Sequence, residues 1–312
     1  MTRKIELIFA ATQNYLPYYT VLARSVAANA NGRAIKINFL YTTSFNKMPD
    51  FEWMKYIDCM HNSLADFKNL EINFCDITEY MPLLDGQNLG MWGNNTSLSH
   101  YIYLFATIVL PHVKRAIYMD CDMICNANLG DVFDTDMHNK LIALTRPSHG
   151  DELSDTELGP DASNTGFMIL NLERWRKLNV LDDILQFGRT MPRTSFCDQA
   201  LIYHYFNKNH PNEIKYLDAS YNIFPGYHPD MPSNKIKVMH FTSYRDTKPW
   251  AHLNSNNYRG ADVWWKYARQ TSFYENFISG IVYETINDLI NKHLCQESKL
   301  HRLFRQIKTF KC

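Results

Sequence analysis

The sequence predicts an α/β fold in which a parallel sheet carries helices on both of its faces. Strand-like and helix-like segments alternate over the first 75 residues, and this alternation is typical of β-α-β units. Further along, an apolar strand ends directly at Asp120 and Asp122, and ligands of α/β proteins bind at the carboxyl edge of the sheet. At 312 residues the chain is long enough to bury the core that this fold needs.

The first elements follow from β-forming runs and from apolar residues at helical spacing. These patterns predict strands at Ile5–Ala10, Ile35–Tyr41 and Leu70–Cys75, and helices at Tyr18–Asn29 and Phe51–Phe67. The polar stretch that follows, Asp85–Ser99, is rich in Gly and Asn and predicts a mobile loop.

The next segments are read in the same way. A helix at Ser99–Leu110 ends at Pro111, and the strand Ala116–Met119 follows it. A second flexible loop is expected in the acidic, turn-rich stretch His149–Ser163. The remaining strands are expected at Leu141–Thr145, Gly166–Leu172 and Ile236–Phe241, and the remaining helices at Leu172–Phe187 and Asp198–Asn207.

The last part of the chain has a different character. From Asp262 onward the sequence reads as entirely helical, so we expect a main domain at residues 1–260 and a helical extension at 261–312. Residues 292–312 carry six Lys or Arg against the single acid Glu297, with apolar residues at helical spacing. Such a basic amphipathic tail can lie on an anionic membrane; a solvated helix packed on the domain, or a coil-forming arm, would show the same pattern.

Composition excludes some functions and suggests a compartment. Lys plus Arg and Asp plus Glu both number 32, and this balance argues against a nucleic-acid binder. The seven cysteines are odd in number and scattered, which favours reduced thiols in a cytosolic protein. The longest apolar stretch, Ile102–Leu110, is too short to span a bilayer. We therefore expect a cytoplasmic protein, soluble or peripheral on the inner face of the membrane.

The strand that ends at Asp120-Cys121-Asp122 carries the strongest chemical signal. Residues two positions apart on an extended backbone point to the same side, so both carboxylates leave one face. Two such carboxylates repel each other unless a cation lies between them, and hard oxygen ligands suit magnesium or manganese. The alternative is a surface turn with two helix-capping acids.

A histidine and a lysine far along the chain could serve the same ion and its ligand. His240 stands in or at the end of an apolar strand, where a neutral imidazole can complete a metal shell that carboxylates begin. Lys248 lies in the polar turn that follows and could neutralise a diphosphate. A core histidine with satisfied hydrogen bonds would give the same local pattern.

Two further segments offer groups that could bind a sugar. The turn at Asn164-Thr165-Gly166 opens a strand, and an Asn amide can both donate to and accept from hydroxyl groups. Asp198 and Gln199 begin a predicted helix, where Asp198 could equally serve as a cap. A structural turn is the alternative for the first segment.

Five motifs in a fixed order resemble glycosyltransferase family eight, which includes bacterial lipopolysaccharide galactosyl- and glucosyltransferases and glycogenin. The resemblance covers roughly residues 3–250. The motifs are Phe-Ala-Ala-x-x-Asn-Tyr at 9–15, Tyr-Met-Asp-Cys-Asp at 118–122, Asn-Thr-Gly-Phe-Met-Ile-Leu-Asn-Leu at 164–172, Asp-Gln-Ala-Leu at 198–201, and His-Phe at 240–241 before Lys-Pro-Trp at 248–250.

The resemblance implies a GT-A fold, which is Rossmann-like with a mixed, mostly parallel central sheet and helices on both faces. It also implies a UDP-hexose donor (galactose or glucose), manganese as the metal with magnesium as the alternative, and retention of anomeric configuration. The acceptor would be a hydroxyl of a glycan or glycolipid, such as a lipopolysaccharide, and the basic tail is in keeping with such an acceptor.

The resemblance also assigns roles to individual residues. No residue at the donor sugar is an obvious strong nucleophile, so we expect front-face attack by the acceptor hydroxyl, with the leaving phosphate taking its proton. The assigned positions are Asp120, Asp122 and His240 as metal ligands; Ala10, Thr12 and Asn14 facing uridine; Lys248 on the diphosphate; and Asn164, Asp198 and Gln199 around the sugar, with Gln199 opposite the leaving group.

Three positions depart from the family pattern. Thr12 and Arg146 stand where an Asp is frequent, and Tyr103 stands where an Arg is usual. The turn between His240 and Lys248 lacks the customary glycine, and its Arg245 could supply the missing positive charge.

These departures suggest a second hypothesis, a catalytically weak UDP-sugar-binding or regulatory protein. A third, a nucleotidyltransferase using the carboxylate pair, would leave His240 without a role.

Overall fold

The computed structural model describes nine strands, which form two sheets. They are β1 (Ile5–Thr12), β2 (Ile35–Thr42), β3 (Leu70–Asp76), β4 (Ala116–Met119), β5 (Met123–Cys125), β6 (Ile142–Thr145), β7 (Phe167–Leu170), β8 (Ile214–Leu217) and β9 (Val238–His240). The described residues are 3–45, 47–85, 98–146, 158–159, 161–191, 197–242, 248–251, 258–283 and 285–286.

Helices connect the strands and cover the sheet. A 3-10 helix at Leu98–Phe105 precedes α3, and a π-helix at Tyr203–Asn209 follows α7. The α-helices are α1 (Leu16–Ala28), α2 (Asp50–Leu64), α3 (Ala106–Val109), α4 (Gly130–Phe133), α5 (Leu172–Lys177), α6 (Val180–Thr190), α7 (Cys197–Ile202) and α8 (Ala261–Ala268).

The large sheet has seven strands in the order β3-β2-β1-β4-β7-β6-β8. Strands β1 to β4 run parallel, β7 runs antiparallel to both β4 and β6, and β8 is again parallel to β6. Within this sheet β7 alone is therefore reversed. The mixed, mostly parallel sheet expected of a GT-A fold is confirmed.

Both faces of the sheet are buried, as the apolar runs of its central strands require. Side chains alternate across an extended strand, and in β1 Leu7 and Phe9 pack on one side while Ile8 and Ala10 pack on the other. The first side is covered by α1 and α8, and the second by the 98–105 helix and α5 to α7.

A second, two-stranded sheet lies beside the first, and the sequence patterns missed its first strand. Strand β5 pairs antiparallel with β9, with Met123 opposite His240 and Cys125 opposite Val238. β5 has three residues, too few to show a hydrophobic period. Strand β8 was missed for a similar reason, because it has only four residues.

Several predicted helices are wrong in their bounds. The helix expected at Leu172–Phe187 is two helices, because Asn179 adopts a left-handed conformation (φ 55°) between them. The segment expected as one helix at Ser99–Leu110 begins as the 3-10 helix and is α-helical only in α3. The helix expected at Asp198–Asn207 changes from α to π after Ile202.

The C-terminal part is helical but not continuously so. α8 ends at Ala268, a turn occupies 269–273, and residues 274–283 are helical again. Trp264 and Phe277 pack in the same core as β1 and α1. The division at residue 260 remains a prediction, and the basic tail at 292–312 and most of the two predicted loops lie outside the described residues.

The structure bears on two expectations, one about membrane-spanning helices and one about the cysteines. Among the helices that can be described, none is long and apolar enough to cross a bilayer. The described cysteines (Cys59, Cys75, Cys121, Cys125 and Cys197) are free thiols, as expected.

Candidate active site

The carboxyl edge of β1 and β4 borders a cavity of about 180 Å³. The end of β1, the start of the 98–105 helix and the Asp120–Asp122 turn meet there, at the edge where parallel strands place ligands. The cavity is lined by Ala10, Ala11, Tyr15, Tyr19, Ser99, His100, Tyr118, Asp120, Cys121, Asp122 and Lys248.

The position of Asp120 is fixed by the reversed strand. Its backbone N–H donates to the carbonyl oxygen of Gly166, 2.9 Å away, just before β7 begins. Tyr118 donates its hydroxyl to Asp120 Oδ1 at 2.5 Å. Burial and the neighbouring Asp122 raise the pKa of Asp120. A cation at this point would relieve the repulsion between the two carboxylates.

The small sheet brings His240 to the two aspartates across more than a hundred residues of sequence. The pairing of β5 with β9 places His240 opposite Met123, which directly follows Asp122. Its Nε2 lies 3.1 Å from Asp122 Oδ1 and 3.7 Å from Asp120 Oδ2. His240 is only 3% exposed, so these contacts are made inside the protein.

Asp120, Asp122 and His240 fit a divalent metal ion. One ligand atom from each residue can be chosen so that all three lie within 4.8 Å of one another. Ligands about 2.1 Å from an octahedral ion lie about 3 to 4 Å apart, and both measured His240–carboxylate distances are in that range. Carboxylates and a neutral imidazole are both common ligands of divalent metal ions in proteins.

Lys248 completes a group that we call the charged cluster: Asp120, Asp122, His240 and Lys248. The Lys248 ammonium donates to Asp122 Oδ2. Burial opposes ionisation of Asp122, but Lys248 and His240 outweigh it and hold its pKa far below the usual range. Burial likewise works against the charged forms of Lys248 and His240, yet Asp122 and its neighbours raise both pKa values. Within the cluster, Lys248 and His240 thus offset the negative charge of the two aspartates.

A second group, the amide cluster, consists of Asn164, Gln199 and Asn222. Asn164 donates from Nδ2 to Gln199 Oε1 at 2.7 Å and accepts at Oδ1 from the backbone N–H of Gly166 at 2.8 Å. Asn222 donates to the same Asn164 Oδ1 at 2.9 Å and contacts His240 Nδ1 at 3.0 Å. The sequence reasoning missed Asn222, because nothing in its local pattern distinguishes it from an ordinary turn asparagine.

Asp198 lies between the two clusters and does not act simply as a helix cap. It is the second residue of α7, and its Oδ2 accepts a hydrogen bond from Thr165 Oγ1 at 2.9 Å. Burial is the main reason that its pKa rises to about 6; Asp120 adds to the rise and His100 opposes it. His100 Nδ1 lies 3.9 Å from Asp198 Oδ1. The sequence analysis did not single out His100, which stands in the first turn of its helix.

The three residues expected at uridine are not all at one place. Ala10 lines the cavity, with its backbone N–H and carbonyl each bonded to the Tyr19 hydroxyl at 3.1 Å. Thr12 donates to Asn14 Oδ1 at 2.6 Å. Asn14 borders a different depression, beside Tyr18. Thr12 and Asn14 therefore lie next to the cavity wall rather than in it.

The departures from the family pattern can also be located. Tyr103 is fully buried and packs on Tyr118, with 4.6 Å between ring centroids. His100, which is 56% exposed on the same helix, lies 3.9 Å from Asp198 and is a basic group near these acids. Arg146 lies over the ring of Tyr216 on the edge strand, 5.2 Å from its centroid. Arg245 is outside the described residues.

The family of the chain is shown by its match to a protein-family model. The model described as Glycosyl transferase family 8 matches residues 6–254, which is most of the chain. The chain belongs to glycosyltransferase family 8. The resemblance noted in the sequence motifs is thereby confirmed.

Several relatives of this family 8 chain are bacterial. Glycosyltransferase GlyA of Streptococcus pneumoniae is 23% identical over 273 residues, which are 85% of this chain and 35% of GlyA. A putative glycosyltransferase of Haemophilus influenzae is 22% identical over 231 residues, 72% of this chain and 64% of the relative. The chain thus spans about a third of the length of GlyA.

Solved structures share the fold. The bifunctional glycosyltransferase WbbM has a TM-score of 0.69 at 16% identity and covers 90% of this family 8 chain, which in turn covers 52% of WbbM. An active-site mutant of LgtC has a TM-score of 0.66 at 19% identity, with 86% of this chain and 96% of LgtC covered. Galactosyltransferase LgtC has also been solved with donor and acceptor sugar analogues, at a TM-score of 0.61. At these identities the likeness establishes the GT-A fold alone.

Proposed function

We propose that this chain transfers a hexose, galactose or glucose, from a UDP-sugar to a hydroxyl of a glycan or glycolipid, with retention of configuration and with bound manganese or magnesium. The observation that carries the proposal is the charged cluster: Asp120, Asp122 and His240 close enough to share one ion, with Lys248 beside them. Family membership and the solved LgtC complex with sugar analogues support it.

The charged cluster would act on the leaving group. Asp120, Asp122 and His240 would hold the metal, which supplies positive charge to a diphosphate as its bond to the sugar breaks. Lys248 can turn its ammonium from Asp122 towards the same phosphate oxygens, because an ion on Asp122 would take over the neutralisation of that carboxylate. A partly buried ammonium stabilises developing negative charge more strongly than one in water does.

The amide cluster would act on the sugar. Gln199 Oε1 already accepts a hydrogen bond from Asn164, which draws electron density away from that oxygen and weakens it as a nucleophile. The Cys121 thiol lines the cavity, but burial and Asp122 raise its pKa, so it stays protonated. Both observations favour front-face attack by the acceptor hydroxyl, with the leaving phosphate taking its proton, over a covalent sugar–enzyme intermediate.

The proposal is tested by Asp122→Asn, with Asp131→Asn as a matched control. Asp131 is an exposed acid at the start of α4, so Asp131→Asn removes the same charge at a position away from the cavity. We expect Asp122→Asn to abolish Mn²⁺-dependent binding of UDP, measured by isothermal titration, and to lower donor hydrolysis about 10²- to 10³-fold, the effect of losing one preorganised electrostatic group. Asp131→Asn should match the wild type.

The donor is identified by screening UDP-glucose, UDP-galactose and their N-acetyl forms for release of UDP. Binding of UDP without a metal requirement, unchanged by Asp122→Asn, would refute the proposal. Tight Mn²⁺-dependent binding with no turnover of any donor would instead support the UDP-sugar-binding or regulatory protein.

Cytoplasmic placement and membrane contact through residues 292–312 remain expectations. A vesicle-binding assay of the full chain would test the membrane contact.

A further inference from the structure

The side chain of Asn222 connects the charged cluster to the amide cluster. Its Oδ1 lies 3.0 Å from His240 Nδ1, and its Nδ2 lies 2.9 Å from Asn164 Oδ1. It is 4% exposed, so water does not replace either contact. This amide therefore joins the side chain of a metal-ligand candidate directly to the side chain of a group expected at the sugar.

The direction of every hydrogen bond in this connection is fixed by one backbone group. The Gly166 N–H can only donate, so the Asn164 atom that faces it must be the oxygen. The Asn222 atom that faces this oxygen must then be the nitrogen, and its remaining atom is the acceptor Oδ1. Amide orientations are ordinarily ambiguous, but here no alternative assignment satisfies all the contacts.

The tautomer of His240 follows from the same reasoning. Because Asn222 Oδ1 can only accept, His240 Nδ1 must carry a hydrogen. In the neutral imidazole the lone pair is then on Nε2, the atom that faces Asp122 and Asp120 at 3.1 and 3.7 Å. This is the tautomer that a metal ligand needs, and the common alternative would point a hydrogen at the ion.

The backbone holds Asn222 in place for this task. The N–H of Asn222 donates to Ala219 O at 2.9 Å. The next residue, Ile223, makes two backbone hydrogen bonds to β9. Its N–H donates to Val238 O at 3.1 Å, and its carbonyl oxygen accepts from the His240 N–H at 2.9 Å. The side chains of Asn222 and His240 are therefore carried by directly paired segments of chain.

We propose that Asn222 is a positioning residue that holds His240 in the tautomer protonated on Nδ1, which leaves Nε2 free to bind the metal, and that the same amide holds Asn164 and Gln199 in the orientation that meets the sugar. The part that concerns metal and sugar rests on the proposed function; the part that concerns the tautomer does not. Binding of the metal and placement of the sugar would then be coupled through one side chain.

The tautomer is tested by nitrogen NMR of full-length protein labelled with ¹⁵N-histidine. His240 signals are assigned by their loss in His240→Gln, and spectra are recorded without metal at a pH where the ring is neutral. We expect Nδ1 to be protonated in the wild type and in Asn222→Asp, whose carboxylate still accepts, and the tautomers to mix in Asn222→Ala. A wild-type ring protonated on Nε2 would overturn the proposal, whatever the protein's activity.

The coupling is tested by two measurements on the same variants. Mn²⁺ affinity, from the free-ion EPR signal, should fall about 10- to 100-fold in Asn222→Ala, as for loss of other groups that orient metal ligands. In Asn222→Asp the affinity should stay within about threefold of the wild type, while kcat falls about 10-fold, because a carboxylate cannot donate to Asn164.

The control is Asn38→Ala, which removes a buried amide bonded to Glu6 and Leu7 in the main sheet. It should lower the melting temperature and leave Mn²⁺ affinity and kcat unchanged. Equal losses in Asn38→Ala and Asn222→Ala would reduce Asn222 to a structural role and overturn the proposal. If the wild type binds no Mn²⁺ but shows the expected tautomer, the proposed function fails and the assignment of Asn222 stands.

Discussion

The charged cluster and the amide cluster lie side by side but are built in different ways. Asp120, Asp122, His240 and Lys248 act through charge, which extends over several ångströms and tolerates small displacements. Asn164, Gln199 and Asn222 act through directed hydrogen bonds, which weaken steeply when the angle is wrong. In the proposed function, such a site would tolerate small shifts of a metal ion and a phosphate, while the amide groups would have to be held rigidly to meet a sugar.

The difference explains why the two clusters are anchored differently. Lys248 reaches the site from a long, flexible side chain, whereas each amide is bonded to another amide or to backbone. Changes at the junction of the clusters should therefore do the most damage. Changes at a single hydrogen bond on the periphery should do the least.

Gly166→Ala should have the largest effect, because this residue touches both clusters. A Cβ here would lie 2.5 Å from His240 Cε1, 2.7 Å from Met123 Cε and 2.9 Å from Asn164 Oδ1. Overpacking of this kind costs about 1 to 3 kcal/mol of stability, and we expect turnover to fall by at least about 100-fold, the scale of misplacing reacting groups by about 1 Å. Thermal unfolding and donor hydrolysis measure the two effects.

Gly280→Ala is the control for that change. A Cβ at Gly280 would meet nothing within 4 Å, and the residue lies in the helical stretch 274–283. Alanine should therefore stabilise the protein by about 0.5 to 1 kcal/mol, as in other helices. Equal behaviour of the two variants would show that the junction of the clusters is not sterically tight.

Asp198→Asn should have an intermediate effect, with a sign that depends on pH. Because folding raises the pKa of Asp198 to about 6 from the ordinary 3.8, the folded state binds this proton more tightly than the unfolded state does. The carboxylate therefore costs stability increasingly as the pH rises from about 4 to above 6. Asparagine removes that cost, by about 2 to 3 kcal/mol at pH 8, and still accepts from Thr165.

Urea unfolding at pH 8 and at pH 4 tests this expectation. The variant should be more stable at pH 8, equal to the wild type near pH 4, and impaired in turnover, since the carboxylate would no longer face the sugar. Asp131→Asn, at an exposed acid, should show no such pH dependence. A stabilisation that is the same at both pH values would contradict the assigned cause, which is burial of a charge.

Thr12→Val should have the smallest effect. It removes the hydroxyl that donates to Asn14 at 2.6 Å, a loss of about 1 kcal/mol for one hydrogen bond. If these residues border uridine, the donor KM should rise about fivefold with kcat unchanged, as steady-state kinetics would show. Thr42→Val is the control, because Thr42 pairs with Thr12 in the sheet and bonds to Ser44 instead. Equal changes in KM would place the uridine elsewhere.

The sequence was sufficient to predict the charged cluster. A strand that ends in two acids and a histidine at the tip of a later strand carry their chemistry in their residue types, so Asp120, Asp122 and His240 could be proposed as a set. The hydrophobic and β-forming patterns supplied the order of many elements, including strand Ala116–Met119, whose bounds are confirmed. Long periodic segments such as α1 and β1 were also predicted within two residues.

The rest depended on geometry that a local pattern does not contain. Asn222 gains its importance from Gly166 and His240, which lie 56 residues before it and 18 residues after it in sequence. The break between α5 and α6 depends on one left-handed asparagine, and β5 exists only because β9 pairs with it. His100 became visible as a site residue once its distance from Asp198 was known.

The antiparallel register of β5 and β9 separates what can vary in this chain from what cannot. Because Met123 stands opposite His240, a shift of one residue in that pairing would present Met239 or Phe241 to the acids and destroy the ligand set. The number of residues between the two strands does not set this register, because β5 and β9 align each other through their own backbone pairing. The arrangement of Asp120, Asp122 and His240 therefore depends on which residues pair across the small sheet, whatever length of chain separates its two strands.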